Sequence, residues 1–374
     1  VFYWIYQLNA SEPGIFRLFG SPVFRGIAAG LTALVICMVL YPWLIRQLQR
    51  KQVGEVIRHD GPESHLAKRG TPTMGGTLLV LSFIVTALLW CDLTSPFVLM
   101  TIGITVLYAI VGFIDDSKKL KGDKSGLSER WKIILQIGSV AILLGYFFHS
   151  VAPTVGYDLN VYFPFVKPET GALELPWWGY TILAVAVVFA TSTACNLTDG
   201  LDGLAIGPSI VSGVTFGVLC YLAGGSLILL VEGDPTPISE YLLLPSVDGV
   251  EELAIFCAGI VGAGVGFLWY NTFPAMVFMG DVGALALGGA LGSVAVFSKH
   301  EFLSVIIHGI FVVEFLSVII QRYSFKLTGK RVFAMAPIHH HFEKKGWPES
   351  RITVRFWIIS IVLALVALAS IKVR

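Results

Sequence analysis

The 374-residue chain is 55% hydrophobic and only 14% charged, with a mean hydropathy of +0.76. That balance excludes an ordinary soluble protein and makes the bilayer the solvent. A formal net charge of +1 gives no electrostatic reason to expect nucleic acid as a partner. A helix needs about 20 apolar residues to cross the hydrocarbon core. In chain order that template finds about ten spans, at 23–45, 74–90, 96–114, 132–148, 177–195, 203–223, 253–269, 281–297, 302–320 and 355–371. The chain therefore reads as one all-α integral membrane domain over 1–374. The first span is too long and too late for a cleaved signal peptide, so no targeting segment is expected. Closely spaced glycines, such as Gly262, Gly264 and Gly266 or Gly288, Gly289 and Gly292, would let helices pack tightly where lipid gives no hydrophobic driving force.

Twenty of the 26 Lys and Arg residues fall in alternate connections, between 46 and 69, 118 and 132, and 322 and 355. That side is expected to be cytoplasmic. An even number of spans then puts both termini outside. The acidic, proline-containing segment 224–252 reads as an exposed outer loop with little chemistry, and the alternation Val161-Tyr162-Phe163 as part of a short hairpin within 153–176. Five single cysteines, Cys37, Cys91, Cys195, Cys220 and Cys257, have neither metal nor disulfide spacing and read as small apolar fillers.

With this topology, the unusual polar residues all gather at cytoplasmic ends. Asp115 and Asp116 close an apolar run, where ionisable groups usually serve a site, although pairing with Lys118 and Lys119 is the bland alternative. Neighbours on a helix point about 100° apart, so the two carboxylates are expected to face different partners. Asn196, Asp199 and Asp202 recur every three residues and would share one face if the helix continued; Gly200 and Gly203 would let phosphate or a nucleobase approach the backbone. Two Asp-Gly pairs in so short a stretch exceed what a polar turn requires. Asp281 stands at the head of a span, where it would cap the helix or hold Mg²⁺, a hard cation that takes oxygen ligands. Consecutive histidines His339, His340 and His341 lack the i, i+4 spacing of a transition-metal pair and fit donation to phosphate or sugar oxygens from a basic loop.

Four stretches carry a resemblance: Gly112-Phe113-Ile114-Asp115-Asp116, Asn196-Leu197-Thr198-Asp199-Gly200-Leu201-Asp202-Gly203, Phe278-Met279-Gly280-Asp281-Val282-Gly283 and Pro337-Ile338-His339-His340-His341-Phe342-Glu343. Together they are similar to the polyprenyl-phosphate N-acetylhexosamine-1-phosphate transferases, and closest to the branch that uses a muramoyl-pentapeptide nucleotide. The likeness runs from about Phe24 to Arg374. It implies transfer of phospho-N-acetylmuramoyl-pentapeptide from its UDP-linked precursor to undecaprenyl phosphate, giving lipid I and UMP, with Mg²⁺, on the cytoplasmic face of a bacterial plasma membrane. A homodimer is the candidate assembly. Carried over by position, the resemblance makes Asp115, Asp116 and Asp281 catalytic, with Asp281 the metal ligand. It places Asn196, Asp199 and Asp202 in the nucleotide and active-site stretch, and Gly200, Leu201 and Phe278 beside the uracil. Lys68, Thr73, Lys119, Lys132, Asn271, Gln321 and the three histidines would line the nucleotide and phosphate cleft.

Two other functions compete. A relative using UDP-N-acetylglucosamine would keep the aspartates but carry a different histidine motif. A transporter would place its polar residues near the midplane on broken helices; here they gather at one face, with Glu314 inside the ninth span as the exception, read as a packing or groove residue.

Overall fold

The computed structural model describes residues 1–9, 14–50, 70–120, 126–167, 171–225, 227–231 and 234–372. Its helices in chain order are α1 (Phe2–Leu8), α2 (Pro22–Arg50), α3 (Gly76–Trp90), α4 (Pro96–Leu120), α5 (Glu129–Tyr146), α6 (Trp177–Thr198) and α7 (Ile206–Ala223). They continue with α8 (Ile238–Tyr241), α9 (Glu252–Asn271), α10 (Gly280–Phe297), α11 (Leu303–Ile307), α12 (Gly309–Thr328), α13 (Ile338–Lys344) and α14 (Glu349–Ala369). Every expected span contains helix, and the all-α membrane class holds. The count of ten does not carry over whole: among the described residues, eight helices are long and apolar enough to cross a membrane. The second expected span is only 15 residues of α3, about 22 Å against a core of about 30 Å. The ninth breaks at His308 into α11 and α12, and α12 carries Glu314, Arg322 and Lys326.

α10 is the axis. From Val282 to Phe297 every residue is buried, because its small side chains let neighbours close in on all sides. A Cβ on Gly76 of α3 would sit 2.3 Å from Gly283 Cα of α10, and one on Gly288 would sit 2.6 Å from Ser192 Cα of α6. The same device joins α9 to α2, where a Cβ on Gly262 would meet Gly30 O at 1.9 Å. These contacts supply the van der Waals packing that holds helices together in lipid. All five cysteines are buried and free, as expected of fillers.

At the end of the bundle away from Gly280, buried charges are paired, as a low-dielectric setting requires. Arg25 meets Glu252 through two contacts of 2.6 and 2.8 Å and also donates to Trp90 O at 3.2 Å. Lys299 lies 2.9 Å from Asp158 Oδ1 and over the Tyr157 and Tyr180 rings, 4.0 and 4.4 Å from their centroids. The two connections at this end are more ordered than expected. β1 (Asn160–Val161) pairs antiparallel with β2 (Leu173–Glu174), so the hairpin exists, with only the first residue of Val161-Tyr162-Phe163 in its ladder. Segment 224–252 is not a plain loop. β3 (Ile228–Val231) pairs with β4 (Asp234–Pro237), followed by α8; a two-stranded ribbon has free edges that tolerate Pro235 and Pro237.

Candidate active site

Asp115 and Asp116 occupy the final turns of α4 and do face different ways, as helical geometry requires. Asp115 Oδ1 accepts the Leu127 N–H at 2.7 Å, whereas Asp116 Oδ2 accepts the Val282 N–H at 3.1 Å, at the head of α10. Asp116 therefore serves one of the orphan donors of the α10 N-terminus from a neighbouring helix. Asp281 does not cap: α10 has no side-chain cap hydrogen bond. Its Oδ1 accepts the Asn196 Nδ2 hydrogen at 2.6 Å, and its Oδ2 lies 2.8 Å from Lys119 Nζ and 2.6 Å from Lys132 Nζ. The same lysines approach Asp115 Oδ2, at 2.6 Å from Lys119 and 3.3 Å from Lys132.

Two glycines make this convergence possible. Gly280 has φ +73°, which side chains rarely adopt, and a Cβ there would sit 2.8 Å from Asp116 Oδ2 and 3.1 Å from Thr73 Oγ1. A Cβ on Gly112, one turn before the aspartates, would sit 2.4 Å from Asp281 O. Gly112→Ala must push α10 from α4. We expect a folded protein destabilised by about 1–3 kcal/mol with sharply reduced turnover, read by thermal unfolding in detergent beside an activity assay; wild-type values for both would mean that this contact is unimportant.

The three carboxylates offer oxygens all within 4.8 Å of one another. Three carboxyl groups face the ammonium groups of Lys119 and Lys132 as a cluster of hard oxygen donors. That donor set fits a hard divalent cation. Asp281 is its most accessible member, with its side chain 14% exposed against 3% for Asp115 and 5% for Asp116.

The second stretch departs from its expected geometry. α6 ends at Thr198 and Asp199 leaves the helix at φ −77°, ψ 57°, so Asn196, Asp199 and Asp202 do not share a helical face. Asn196 joins Asp281, while Asp202 turns to the backbone: its Oδ2 accepts the Ala275 N–H at 2.9 Å, and its own N–H donates to Glu349 Oε1 at 2.6 Å. Asn271 likewise fastens loops, accepting the Gly203 N–H at 3.0 Å and donating to Val277 O at 2.9 Å. Leu201 is buried with Leu204, Ile310, Ile352 and Phe356. Half-buried Phe278 is tied through its N–H to Pro72 O at 2.8 Å.

The histidines do not form a solvated loop but a helical turn, α13. His339 is 1% exposed, with Nδ1 3.1 Å from Glu314 Oε2. Its ring is buried and faces Glu314 rather than solvent. His340 Nδ1 lies 2.6 Å from Glu343 Oε2, and His341 Nδ1 accepts the Ala334 N–H at 3.0 Å. Gln321 accepts the Val332 and Phe333 N–H groups and donates to Phe333 O, so its amide shapes the connection that leads to the histidines. Lys68 lies outside the described residues.

Sequence reasoning missed Glu349, which anchors Asp202, and Trp357, whose Nε1 donates to Gly203 O at 3.0 Å. Their signal is faint: Glu349 follows Pro348 at a helix start, and Trp357 looks like any aromatic in an apolar helix.

A bundle of long apolar helices with carboxylates and lysines crowded at one end has the make-up of a membrane-embedded phosphoryl-transfer enzyme, and the sequence profile of glycosyl transferase family 4 matches residues 98–299. The signature described as phospho-N-acetylmuramoyl-pentapeptide-transferase signature 1 matches residues 68–80. The chain is 52% identical over 356 residues to the phospho-N-acetylmuramoyl-pentapeptide-transferase of Sorangium cellulosum, covering 94% of this chain and 93% of that protein. It is 46% and 47% identical to the proteins of the same name in Syntrophus aciditrophicus and Citrifermentans bemidjiense, over the full length of both chains in each pair. The chain belongs to the phospho-N-acetylmuramoyl-pentapeptide-transferase family.

Proposed function

We propose that this enzyme transfers phospho-N-acetylmuramoyl-pentapeptide from UDP-N-acetylmuramoyl-pentapeptide to undecaprenyl phosphate. The single observation that carries this reading, beyond family membership, is the joining of Asp115, Asp116 and Asp281 from two helices through Lys119 and Lys132. An oxygen of the lipid phosphate bonds to the sugar-bearing phosphorus of the nucleotide, the pyrophosphate P–O bond breaks, and UMP leaves with that electron pair. The products are lipid I and UMP. Several negative charges meet in this reaction, so positioning and cations matter more than covalent chemistry.

Asp281, the most accessible carboxylate of the three, would hold Mg²⁺. When bound, that ion would offset charge on the pyrophosphate. Lys119 and Lys132 supply positive charge at the same point. Asp116 is assigned the proton of the lipid phosphate, and Asp115 holds the two lysines in register. The loop 199–203 and the histidine turn form the nucleotide side of the site, and Lys68 and Thr73 border the phosphates. Family membership supports a bacterial plasma membrane location, and the distribution of Lys and Arg supports an orientation with this face cytoplasmic and both termini outside. A homodimer is the proposed assembly.

The test is turnover by purified protein with undecaprenyl phosphate and Mg²⁺, comparing two nucleotides. UDP-N-acetylmuramoyl-pentapeptide is expected to give UMP and a lipid-linked product, and UDP-N-acetylglucosamine to give neither. The opposite preference would assign the enzyme to the other branch of the superfamily.

A further inference from the structure

Glu314 is a fully buried carboxylate on α12, well away from the three aspartates in sequence, and the proposed chemistry leaves it without a task. One turn before it, Ile310 lies in an apolar cluster with Leu201, Leu204, Ile352 and Phe356, against which Ile338 and Phe342 of α13 pack. A carboxylate beside such a cluster is costly unless something charged or polar answers it. What answers it is His339, at 3.1 Å from Nδ1 to Oε2. The approach is ionic in distance but off the hydrogen-bond angle, and the two carboxylate oxygens and both ring nitrogens have no hydrogen-bond partner among the described residues. Each group's polar requirement is thus left to the other. At 3.1 Å the carboxylate still bounds one edge of the ring and limits the positions the imidazole can take.

The opposite edge of the same ring lies on Gly200. A Cβ there would sit 2.4 Å from His339 Nε2 and 2.9 Å from Cε1. The imidazole thus occupies the space a side chain would need, and the loop that leaves α6 rests on it. Farther along, the loop is fastened independently, by Glu349 and Ala275 at Asp202 and by Asn271 and Trp357 at Gly203.

We propose that Glu314 is a positioning residue: through His339 it sets the shape of the 199–203 loop and thereby the affinity for the uridine nucleotide. This rests on the reading of that loop as the nucleotide side of the site. Glu314→Gln keeps the shape of the side chain and removes its charge. With one partner of a buried pair gone, the ring loses its fixed orientation, and the expected result is a roughly tenfold rise in KM for the nucleotide and in Kd for UMP. KM for undecaprenyl phosphate should stay unchanged and kcat should change little.

Three variants separate this role from simple packing. His339→Asn should raise the nucleotide KM similarly, and Glu314→Gln combined with His339→Asn should be no worse than either alone, since the two act as one unit. Gly200→Ala, which leaves both side chains of the pair in place but crowds the ring, should also weaken UMP binding. Folding is checked by size-exclusion profile and thermal unfolding in detergent, and UMP binding by isothermal titration. If Glu314→Gln lowers thermal stability alone and leaves both nucleotide constants at wild-type values, the proposal is wrong. Multiplying effects in the double variant would also overturn it, as would normal UMP binding by Gly200→Ala should Glu314→Gln fail to fold. A wild-type protein that neither binds UMP nor turns over the muramoyl-pentapeptide nucleotide would instead refute the functional reading beneath it.

Discussion

Asp281→Asn is expected to leave a folded protein whose turnover has fallen by at least about 10²-fold. The structure sharpens this expectation by removing the competing role. The Val282 N–H at the head of α10 is served by Asp116, and Asp281 makes no cap hydrogen bond, so the substitution takes nothing from the helix end. An asparagine oxygen can still accept the Asn196 Nδ2 hydrogen that Asp281 Oδ1 accepts at 2.6 Å. What disappears is charge: Lys119 and Lys132, at 2.8 and 2.6 Å from Asp281 Oδ2, would face a neutral amide, and a hard cation would lose its most accessible anionic ligand. The measurement is turnover across a Mg²⁺ titration, with thermal unfolding as the folding control. Near-normal turnover with an unchanged Mg²⁺ requirement would remove Asp281 from the metal site.

Much of this site was legible in the sequence because the bilayer punishes exceptions. A carboxylate at the end of an apolar run is costly, so Asp115, Asp116 and Asp281 stand out against their surroundings without any knowledge of the fold. Their meeting was also within reach, since alternate connections of a helical bundle must lie on one side. The angular argument for Asp115 and Asp116 held because both lie inside continuous helix, where the geometry is fixed. The same argument failed for Asn196, Asp199 and Asp202, since α6 ends at Thr198 and periodicity has no meaning beyond it.

Side chains that hold loop backbone near the site were the other part the sequence did not disclose. Asp202, Asn271 and Gln321 look like ligand groups in sequence, and in the structure each also makes hydrogen bonds to loop backbone. A buried loop must satisfy its N–H and C=O groups somewhere, and a polar side chain near a site serves that need as readily as it serves a substrate. Glycines were informative in kind but not in address. The close spacing of small residues announced tight packing, but only the three-dimensional arrangement assigns Gly112 to Asp281 and Gly200 to His339.

Asp116→Asn should separate binding from chemistry. Asp116 is nearly buried, with Oδ2 on the Val282 N–H at 3.1 Å and Oδ1 3.8 Å from Lys119 Nζ. An asparagine oxygen can keep the backbone hydrogen bond, so α4 and α10 should stay joined and the protein should fold. The amide cannot take a proton from the lipid phosphate. Loss of a general base costs about 10²–10⁴ in rate, and that is the expected fall in kcat. Binding of UMP should be largely intact, because the proposed nucleotide side is built from the 199–203 loop and α13, which are fastened through Glu349, Asn271 and Glu314. Paired titration and turnover experiments on wild type and Asp116→Asn decide the matter. A fall well beyond that range would make Asp116 a metal ligand or a nucleophile, whose loss leaves no slower version of the same route. A fall of only a few fold, with UMP binding unchanged, would reduce Asp116 to its hydrogen bond with Val282 and pass the proton to Asp115 or to a lipid phosphate that arrives already ionised.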